Sequence, residues 1–467
     1  MATLTFHGAA QEVTGSCYLL ESPAIGRVLL ECGMHQGGDA TERLGENGFP
    51  FKPADIDAVI LSHAHLDHSG LLPKLVRAGF RGPIYCTSAT RELLRVLLED
   101  AWGLYERDLE YSNRRRKRSG RKPLAPEYTL SDVQTVLNSC ETTGYETDIK
   151  PGPAAVLRFH DAGHILGSAI VDLRLDEAGR EKRLVFSGDL GNADSVLMND
   201  PFTPDKADLL MMESTYGNRN HRDMDNTLAE LEDILNQAWE RGGNVMIPSF
   251  AVGRAQEILY HLGCLYHAGK LADWNVYLDS PMAAEVTRVY DHWLHILDQQ
   301  DVRCLTDIGR KSLESFLPTL QVSQSAEESM AINEVKKGAI IIAGSGMCTG
   351  GRIRHHFKHR IWDSRNTIIF IGFQAQGTLG RLLVDGRESI RMFGEEFVVK
   401  AQIATLGGFS AHAGQSELID WARNFSPVPR LILIHGESLA LQTLSAKLEN
   451  DHGIKSEIPR RGSTIEF

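Results

Sequence analysis

His63-Ala64-His65-Leu66-Asp67-His68 follows directly on the apolar run Ala58-Val59-Ile60-Leu61. Four side chains able to ligate a metal thus fall within six positions, where a buried strand ends. A strand points successive side chains to opposite faces, so these four converge only if the backbone leaves the strand in a loop. Three imidazoles and a carboxylate suit zinc or a similar divalent ion. They also exceed what one catalytic metal usually takes from a protein, which leaves room for a second. Paired divalent ions are a recurring device for cleaving phosphate esters. Without a ligand, packing four polar groups at a strand end would be costly.

Three further groups fall at the ends of strand-like runs. His164 follows Asp161-Ala162-Gly163 and precedes Gly167-Ser168; Asp189 ends Leu184-Val185-Phe186-Ser187-Gly188-Asp189; His435 follows Leu431-Ile432-Leu433-Ile434 and precedes Gly436-Glu437. Small residues at each point let the backbone turn sharply and the side chain project from a rim. The expected assignment is His63, His65 and His164 on one metal, Asp67, His68 and His435 on the other, with Asp189 bridging both. A single histidine after a strand, as with His435 taken alone, is ordinarily a core or turn residue. The remaining histidines, His355, His356 and His359 among them, read as surface or packing groups.

With 467 residues, 42% hydrophobic and 24% charged, the chain is long enough for two or three globular domains. The start has no basic region followed by an apolar stretch, and no apolar run approaches the roughly 20 residues of a membrane span. Seven cysteines, odd in number and without a CxxC pair, read as free thiols of a reduced, cytoplasmic protein. A net charge of -12 argues mildly against nonspecific nucleic-acid binding. Two basic clusters cut the other way: Arg114-Arg115-Arg116-Lys117-Arg118 with Arg121 and Lys122, and the stretch from Arg352 to Arg360.

Along the chain, Leu4 to Phe6, Tyr18 to Glu21 and Val28 to Glu31 read as strands, with Leu71, Leu72, Leu75 and Val76 at helical spacing. Residues 87 to 112 read as helix, interrupted by the basic stretch as an exposed loop or helix end. From residue 214 short apolar strands (Val245 to Ile247, Val276 to Leu278, Ala339 to Ala343, Thr367 to Ile371) alternate with helical segments such as Leu228 to Trp239 and Arg254 to His267. That rhythm predicts a second, doubly wound parallel sheet. Ligand-like signals return after residue 395, in Phe397 to Ile403, Gly408 to His412 and Leu431 to His435. One domain interrupted by another follows: 1–213 and 396–467 around an inserted 214–395, the insert hanging over the metal site as a cap.

These motifs together resemble the metallo-β-lactamase superfamily, whose HxHxDH signature is matched by His63 to His68. More narrowly they resemble the β-CASP nucleases, the group containing the nuclease subunit of the eukaryotic cleavage and polyadenylation specificity factor. Glu213-Ser214-Thr215-Tyr216-Gly217, Phe409-Ser410-Ala411-His412 and Ile434-His435-Gly436-Glu437 are similar to that family's motifs A, B and C. Pro248 to Gln256, Asp279-Ser280-Pro281-Met282 and Gly344-Ser345-Gly346-Met347 are similar to its cap-domain signatures. The resemblance implies an α/β fold: a four-layer αβ/βα sandwich carrying an inserted parallel-sheet cap, two zinc ions, and hydrolysis of RNA between the domains. One departure is Glu31-Cys32-Gly33 where the family often has Asp-Cys-Gly, a position that usually orients a ligand. The pattern starts directly at the catalytic domain, so the amino-terminal RNA-binding domains of some archaeal relatives are not expected.

The expected chemistry is attack on phosphorus by hydroxide that the metals make available near neutral pH, with Asp67 and Asp189 in the catalytic set. His412 is the candidate general acid because imidazole titrates near the operating pH, and Glu213 would orient it and favour its protonated form. Taken without the family, Glu213 reads as an exposed charge at a strand end. Ser345, Gly346 and Met347 lie in a glycine-rich loop able to cradle a phosphate, though an ordinary tight connection fits as well; Ser249, Arg254 and Arg352 would extend that track. The Arg114–Arg118 run reads equally as an RNA contact and as a solvated surface.

The leading expectation is a zinc-dependent ribonuclease on single-stranded RNA, endonucleolytic with a 5′-exonucleolytic option, in RNA processing or decay. The alternatives are a DNA nuclease, a small-molecule ester hydrolase on the same fold, and a metal-free RNA-binding scaffold. Homodimerisation stays open, since no heptad or apolar stripe announces an interface.

Overall fold

Leu209–Met212 and Arg430–Leu433 are apolar at almost every position because both their faces are buried. Their residues part alternately to two cores: Leu209, Met211 and Ile432 face one, Leu210, Met212, Leu431 and Leu433 the other. The same period of two divides Val171 and Leu173 from Ile170, and Leu184 and Phe186 from Val185. In the computed structural model, residues 2–35, 48–193, 195–271, 273–372 and 374–467 are described.

The first core lies between two seven-stranded sheets. One runs in the order Thr464–Glu466, Thr3–Gly8, Cys17–Ser22, Gly26–Leu30, Ala58–Ile60, Ile84–Thr87, Cys140–Thr143. The other runs Ser456–Glu457, Arg430–Leu433, Leu209–Met212, Arg180–Phe186, Ala169–Glu177, Ala155–Asp161, Ile149–Gly152. Leu4, Phe6, Tyr18, Leu20, Val28 and Ile60 of the first meet Phe159, Val171, Phe186 and Met211 of the second. Tyr18 and Phe186 touch edge to face with centroids 5.7 Å apart. The outer face of the second sheet is covered by helices Gln415–Arg423 and Ser438–His452 through Leu418, Trp421, Leu441, Leu444 and Leu448. Helix Ser88–Arg118 lies against strands Ile84–Thr87 and Cys140–Thr143 of the first. Helix, sheet, sheet, helix is the four-layer αβ/βα sandwich the sequence led us to expect.

This unit comprises Met1–Ser195, Asn199–Asn220 and His412–Phe467. A second compact unit comprises Val196–Met198 and His221–Ala411. It is built on a six-stranded, wholly parallel sheet in the order Leu320–Val322, Asn275–Asp279, Ala339–Ala343, Val245–Pro248, Thr367–Phe370, Gln402–Thr405. Val245, Ile247, Ile340 and Ile342 face helices Met224–Glu240 and Arg254–His267; Met246, Ile341, Ile368 and Phe370 face helix Ile353–Arg360.

Two sequence expectations shift. The segment from Phe397 to Ile403 splits: Glu395–Val398 closes a hairpin with Ser389–Met392, and Gln402–Thr405 pairs with Thr367–Phe370. Edge pairing therefore keeps residues to Thr405 on the second unit's sheet, and the two compact units divide at 220/221 and 411/412, against the expected 213/214 and 395/396. Of the two readings of the basic run from Arg114 to Arg118, the helix end holds: it forms the last turns of the 31-residue helix Ser88–Arg118. All seven cysteines are free thiols. No described helix is long and apolar enough to cross a membrane.

Candidate metal centre

Strand Ala58–Ile60 lies between parallel neighbours Gly26–Leu30 and Ile84–Thr87, so the chain leaves it in the interior of the sheet edge. The loop that follows is clamped by backbone hydrogen bonds. Ser16 N–H donates to Asp67 O at 2.8 Å, Cys32 N–H to His68 O at 2.8 Å and Met34 N–H to Leu66 O at 2.7 Å. Gly33 is required here, since a Cβ on it would stand 1.7 Å from the Asp67 carbonyl oxygen. Asp189 emerges beyond Phe186 through Gly188 at φ 57°, where a Cβ would press on Ser62.

These turns bring the expected ligands together. His65 Nδ1 lies 3.1 Å from His63 Nε2 and 3.2 Å from His164 Nε2. Asp189 Oδ2 lies 3.5 Å from His63 Nε2 and 3.6 Å from His164 Nε2. On the other side His68 Nε2 and His435 Nε2 are 3.2 Å apart, with Asp67 Oδ2 3.9 Å from His435 Nε2. Asp189 turns its second oxygen here: Oδ1 is 3.4 Å from His68 Nε2 and 3.6 Å from His435 Nδ1. Two groups with mutually close donor atoms result, His63, His65, His164 and Asp189, and Asp67, His68 and His435.

Several features fit a divalent metal. Donors on a tetrahedral ion at about 2.0–2.1 Å stand about 3.3 Å from one another, close to the observed nitrogen spacings. The Asp189 side chain is buried and its Oδ1 has no hydrogen-bond partner, an arrangement that costs free energy unless a cation takes it up. Burial opposes the Asp189 charge, but His435, His68 and His63 outweigh it and hold the carboxyl well below the usual carboxylate range. Burial pushes His63 far down and His65 to about 4, which leaves their ring lone pairs available for coordination.

Three of the rings have a second anchor. His63 Nδ1 is 2.9 Å from Ser62 Oγ, His68 Nδ1 is 3.0 Å from Glu31 Oε2, and His435 Nδ1 is 3.1 Å from Thr215 Oγ1. Glu31 is buried, and its other oxygen accepts Ser62 N–H at 2.7 Å, so the longer side chain spans both partners. Ser62 and Thr215 went unnoticed in the sequence because a lone hydroxyl carries no pattern; adjacency to His63, and membership of the Glu213–Gly217 motif, were the available signals. Glu31→Gln keeps the acceptor for Ser62 N–H but removes the charge facing His68. Metal affinity, read by chelator competition, is expected to fall about 10–100-fold; an unchanged affinity would exclude an orienting role.

Beside this group, Glu213 lies fully buried at the end of strand Leu209–Met212, not exposed. Its Oε1 accepts Leu190 N–H at 2.8 Å and stands 3.1 Å from His412 Nδ1, and its Oε2 accepts Thr215 N–H at 3.1 Å. His412 Nδ1 is also 4.0 Å from Asp189 Oδ2. Burial works against charge on His412, but Glu213, with Asp189 and Asp67, raises its pKa to about 9.

The residues expected to touch substrate lie in the second unit. Ser249 and the Ser345–Met347 loop follow adjacent parallel strands, and a Cβ on Gly346 would meet the Phe250 ring at 2.8 Å. Arg254 and Arg352 do not offer the cations expected of them. Arg254 is buried in an ion pair with Glu257. Arg352 donates to Asp279 at 2.7 Å and to the Ser323 and Gln324 carbonyls at 3.1 and 2.9 Å. A guanidinium already neutralised inside the fold has little charge left for a phosphate. His356 is a buried packing group, bonded to Asp279 at 2.6 Å.

Comparison with known proteins agrees with this architecture. Residues 10–239 match the metallo-beta-lactamase superfamily, 255–383 the Beta-Casp domain, and 396–459 the Zn-dependent metallo-hydrolase RNA specificity domain. Ribonuclease TTHA0252 of Thermus thermophilus is 41% identical over 94% of each chain. Transcription termination factor FttA of Methanocaldococcus jannaschii is 33% identical over 93% of this chain and 67% of its own, and an RNase J-like protein of the same organism is 29% identical over 100% of both. A crystal structure of a protein of unknown function from Enterococcus faecalis shares the fold, with a TM-score of 0.56 at 14% identity over 99% of each chain. The chain belongs to the β-CASP family of metallo-β-lactamase-superfamily hydrolases.

Proposed function

We propose that this protein is a ribonuclease that hydrolyses phosphodiester bonds of single-stranded RNA with two zinc ions, cutting internally and also trimming from the 5′ end. The observation that carries the reading is buried Asp189, whose two oxygens face separate histidine groups while Oδ1 has no hydrogen-bond partner. His63, His65 and His164 would hold one ion, Asp67, His68 and His435 the other, and Asp189 both. Bound there, the ions supply positive charge for the phosphate oxygens and a lowered pKa for water. Glu31, Ser62 and Thr215 keep the rings aimed. Glu213 holds the His412 imidazole in register and favours its proton-bearing form; His412 then delivers that proton to the departing oxygen. RNA as substrate draws support from the ribonuclease of Thermus thermophilus and from the RNA specificity domain. A centre this buried admits one flexible backbone more readily than a duplex.

The test is metal analysis beside cleavage of RNA labelled at either end. About two zinc per chain, internal cuts, abolition by chelator and recovery on adding zinc back are expected. Zinc-replete protein that leaves RNA intact, while turning over single-stranded DNA, nitrocefin or a glutathione thioester, would defeat the reading. Fewer than about one zinc with no recovery would favour a metal-free scaffold.

A further inference from the structure

Helix Ser88–Arg118 is tied to the metal centre at one end and carries the densest positive charge of the chain at the other. At its start, Thr87 and Thr90 hydroxyls donate to Gly167 O at 2.7 and 2.8 Å, in the loop that bears His164. Its buried residues end at Leu98, so the remaining turns project beyond the core. With 31 residues at a rise of 1.5 Å, the helix is about 46 Å long.

Seven of the nine residues from Arg114 to Lys122 are Lys or Arg and none is acidic, in a chain of net charge -12. Ser112, Arg115, Arg116, Arg118, Ser119, Arg121 and Leu124 line a concavity of about 700 Å³ there. The returning segment is fastened to the helix, which fixes the shape of that hollow. Arg116 Nε donates to Lys122 O at 2.6 Å, Asn113 exchanges bonds with Leu124 at 2.7 and 3.1 Å, and Tyr105 Oη accepts Glu127 N–H at 2.7 Å. Arg114 pairs with Glu110, but among the described residues no carboxylate pairs with Arg115, Arg116, Lys117, Arg118, Arg121 or Lys122. Tyr111, 63% exposed, presents its ring beside Arg115 at 5.9 Å.

Cations in a last helical turn favour the helix dipole, which accounts for part of this run. It accounts neither for Arg121 and Lys122, beyond the helix, nor for the missing counter-charges. A shaped cationic hollow edged by an exposed aromatic ring is the combination that holds single-stranded nucleic acid, phosphates on the arginines and a base on the ring.

We infer that this hollow is a second RNA-binding site, distant from the metal centre, which holds the backbone of long substrates while another part of the same strand is cut. The inference rests on RNA being the substrate. Spanning about 40 Å takes about 12 stacked nucleotides at 3.4 Å each, so only RNAs well above that length engage both sites.

The test compares zinc-loaded wild type with the triple variant Arg115→Gln/Arg118→Gln/Arg121→Gln, leaving Arg116 and its turn bond in place, on unstructured RNAs of about 5 and 30 nucleotides. Anisotropy of the labelled 30-mer, read at once on mixing, reports binding whether or not cleavage follows. Binding of the 30-mer is expected to weaken about tenfold and its KM to rise about as much, with kcat within twofold and the 5-mer unaffected. The dependence of log affinity on log salt should become shallower by about 2, from three lost phosphate contacts at about 0.7 each. The matching triple lysine variant should retain the salt slope. Wild-type affinity for the 30-mer in the glutamine variant, or equal losses on both lengths, would overturn the second site. Failure of the wild type to cut either RNA would instead count against the proposed function, and the anisotropy would still decide the hollow.

Discussion

Asp189→Ala is expected to lower bound zinc from about two per chain to one or fewer and to cut RNA cleavage by more than about a thousandfold. That factor corresponds to about 4 kcal/mol of lost transition-state stabilisation, within what metal-centred charge supplies. The reason is positional. Among the described residues Asp189 is the one carboxylate whose two oxygens lie 3.4–3.6 Å from nitrogens of both histidine groups. Alanine leaves mainly neutral imidazoles around the first position, and neutral donors hold a dication less tightly than a set including a carboxylate. The fold itself should survive, because Oδ1 accepts no hydrogen bond whose donor would be stranded. Zinc stabilises wild type by binding the native state, so the rise in melting temperature on adding zinc should shrink in the variant. Wild-type zinc content with near-normal cleavage would show that the carboxylate is no ligand.

His412→Ala is expected to leave zinc content unchanged while RNA cleavage falls about 10²–10⁴-fold, the range associated with losing a positioned proton donor. His412 belongs with Glu213, at 3.1 Å, and with the edge of the Asp189 carboxylate, at 4.0 Å. A ribose oxygen leaves poorly without a proton, whereas 4-nitrophenolate leaves readily as an anion. The variant should therefore hydrolyse bis(4-nitrophenyl) phosphate within about tenfold of wild type, since a good leaving group has little use for an acid. Glu213→Gln should fall between, because amide oxygen still accepts Leu190 N–H but no longer favours the charged imidazole. Equal losses on both substrates, or loss of zinc, would make His412 a ligand or a structural group.

How much was readable before folding differs by residue. His63 to His68 announced themselves because four donors in six positions are improbable as packing. The buried strand Ala339–Ala343, apolar at every position, was likewise carried by its composition. The split of Phe397 to Ile403 was not, since an edge strand and a hairpin arm have the same local pattern and differ only in what pairs with them. Arg352 looked like a free cation because its partner Asp279 lies 73 positions away, whereas for Arg254 the partner Glu257 stood three positions on and was the available signal.

The amino-acid sequence by itself determined the donor types, the strand ends that carry them and the presence of an inserted parallel-sheet unit, all consequences of short-range pattern and period. Only the tertiary structure decided which ring nitrogen meets which, that Asp189 divides its oxygens between two groups, that Glu31 reaches both His68 and Ser62, and that four arginines line one hollow. His68 and His435 stand 3.2 Å apart across 367 positions of chain. Such proximity is set by sheet register and core packing, which sum over hundreds of residues and leave no mark at any one of them.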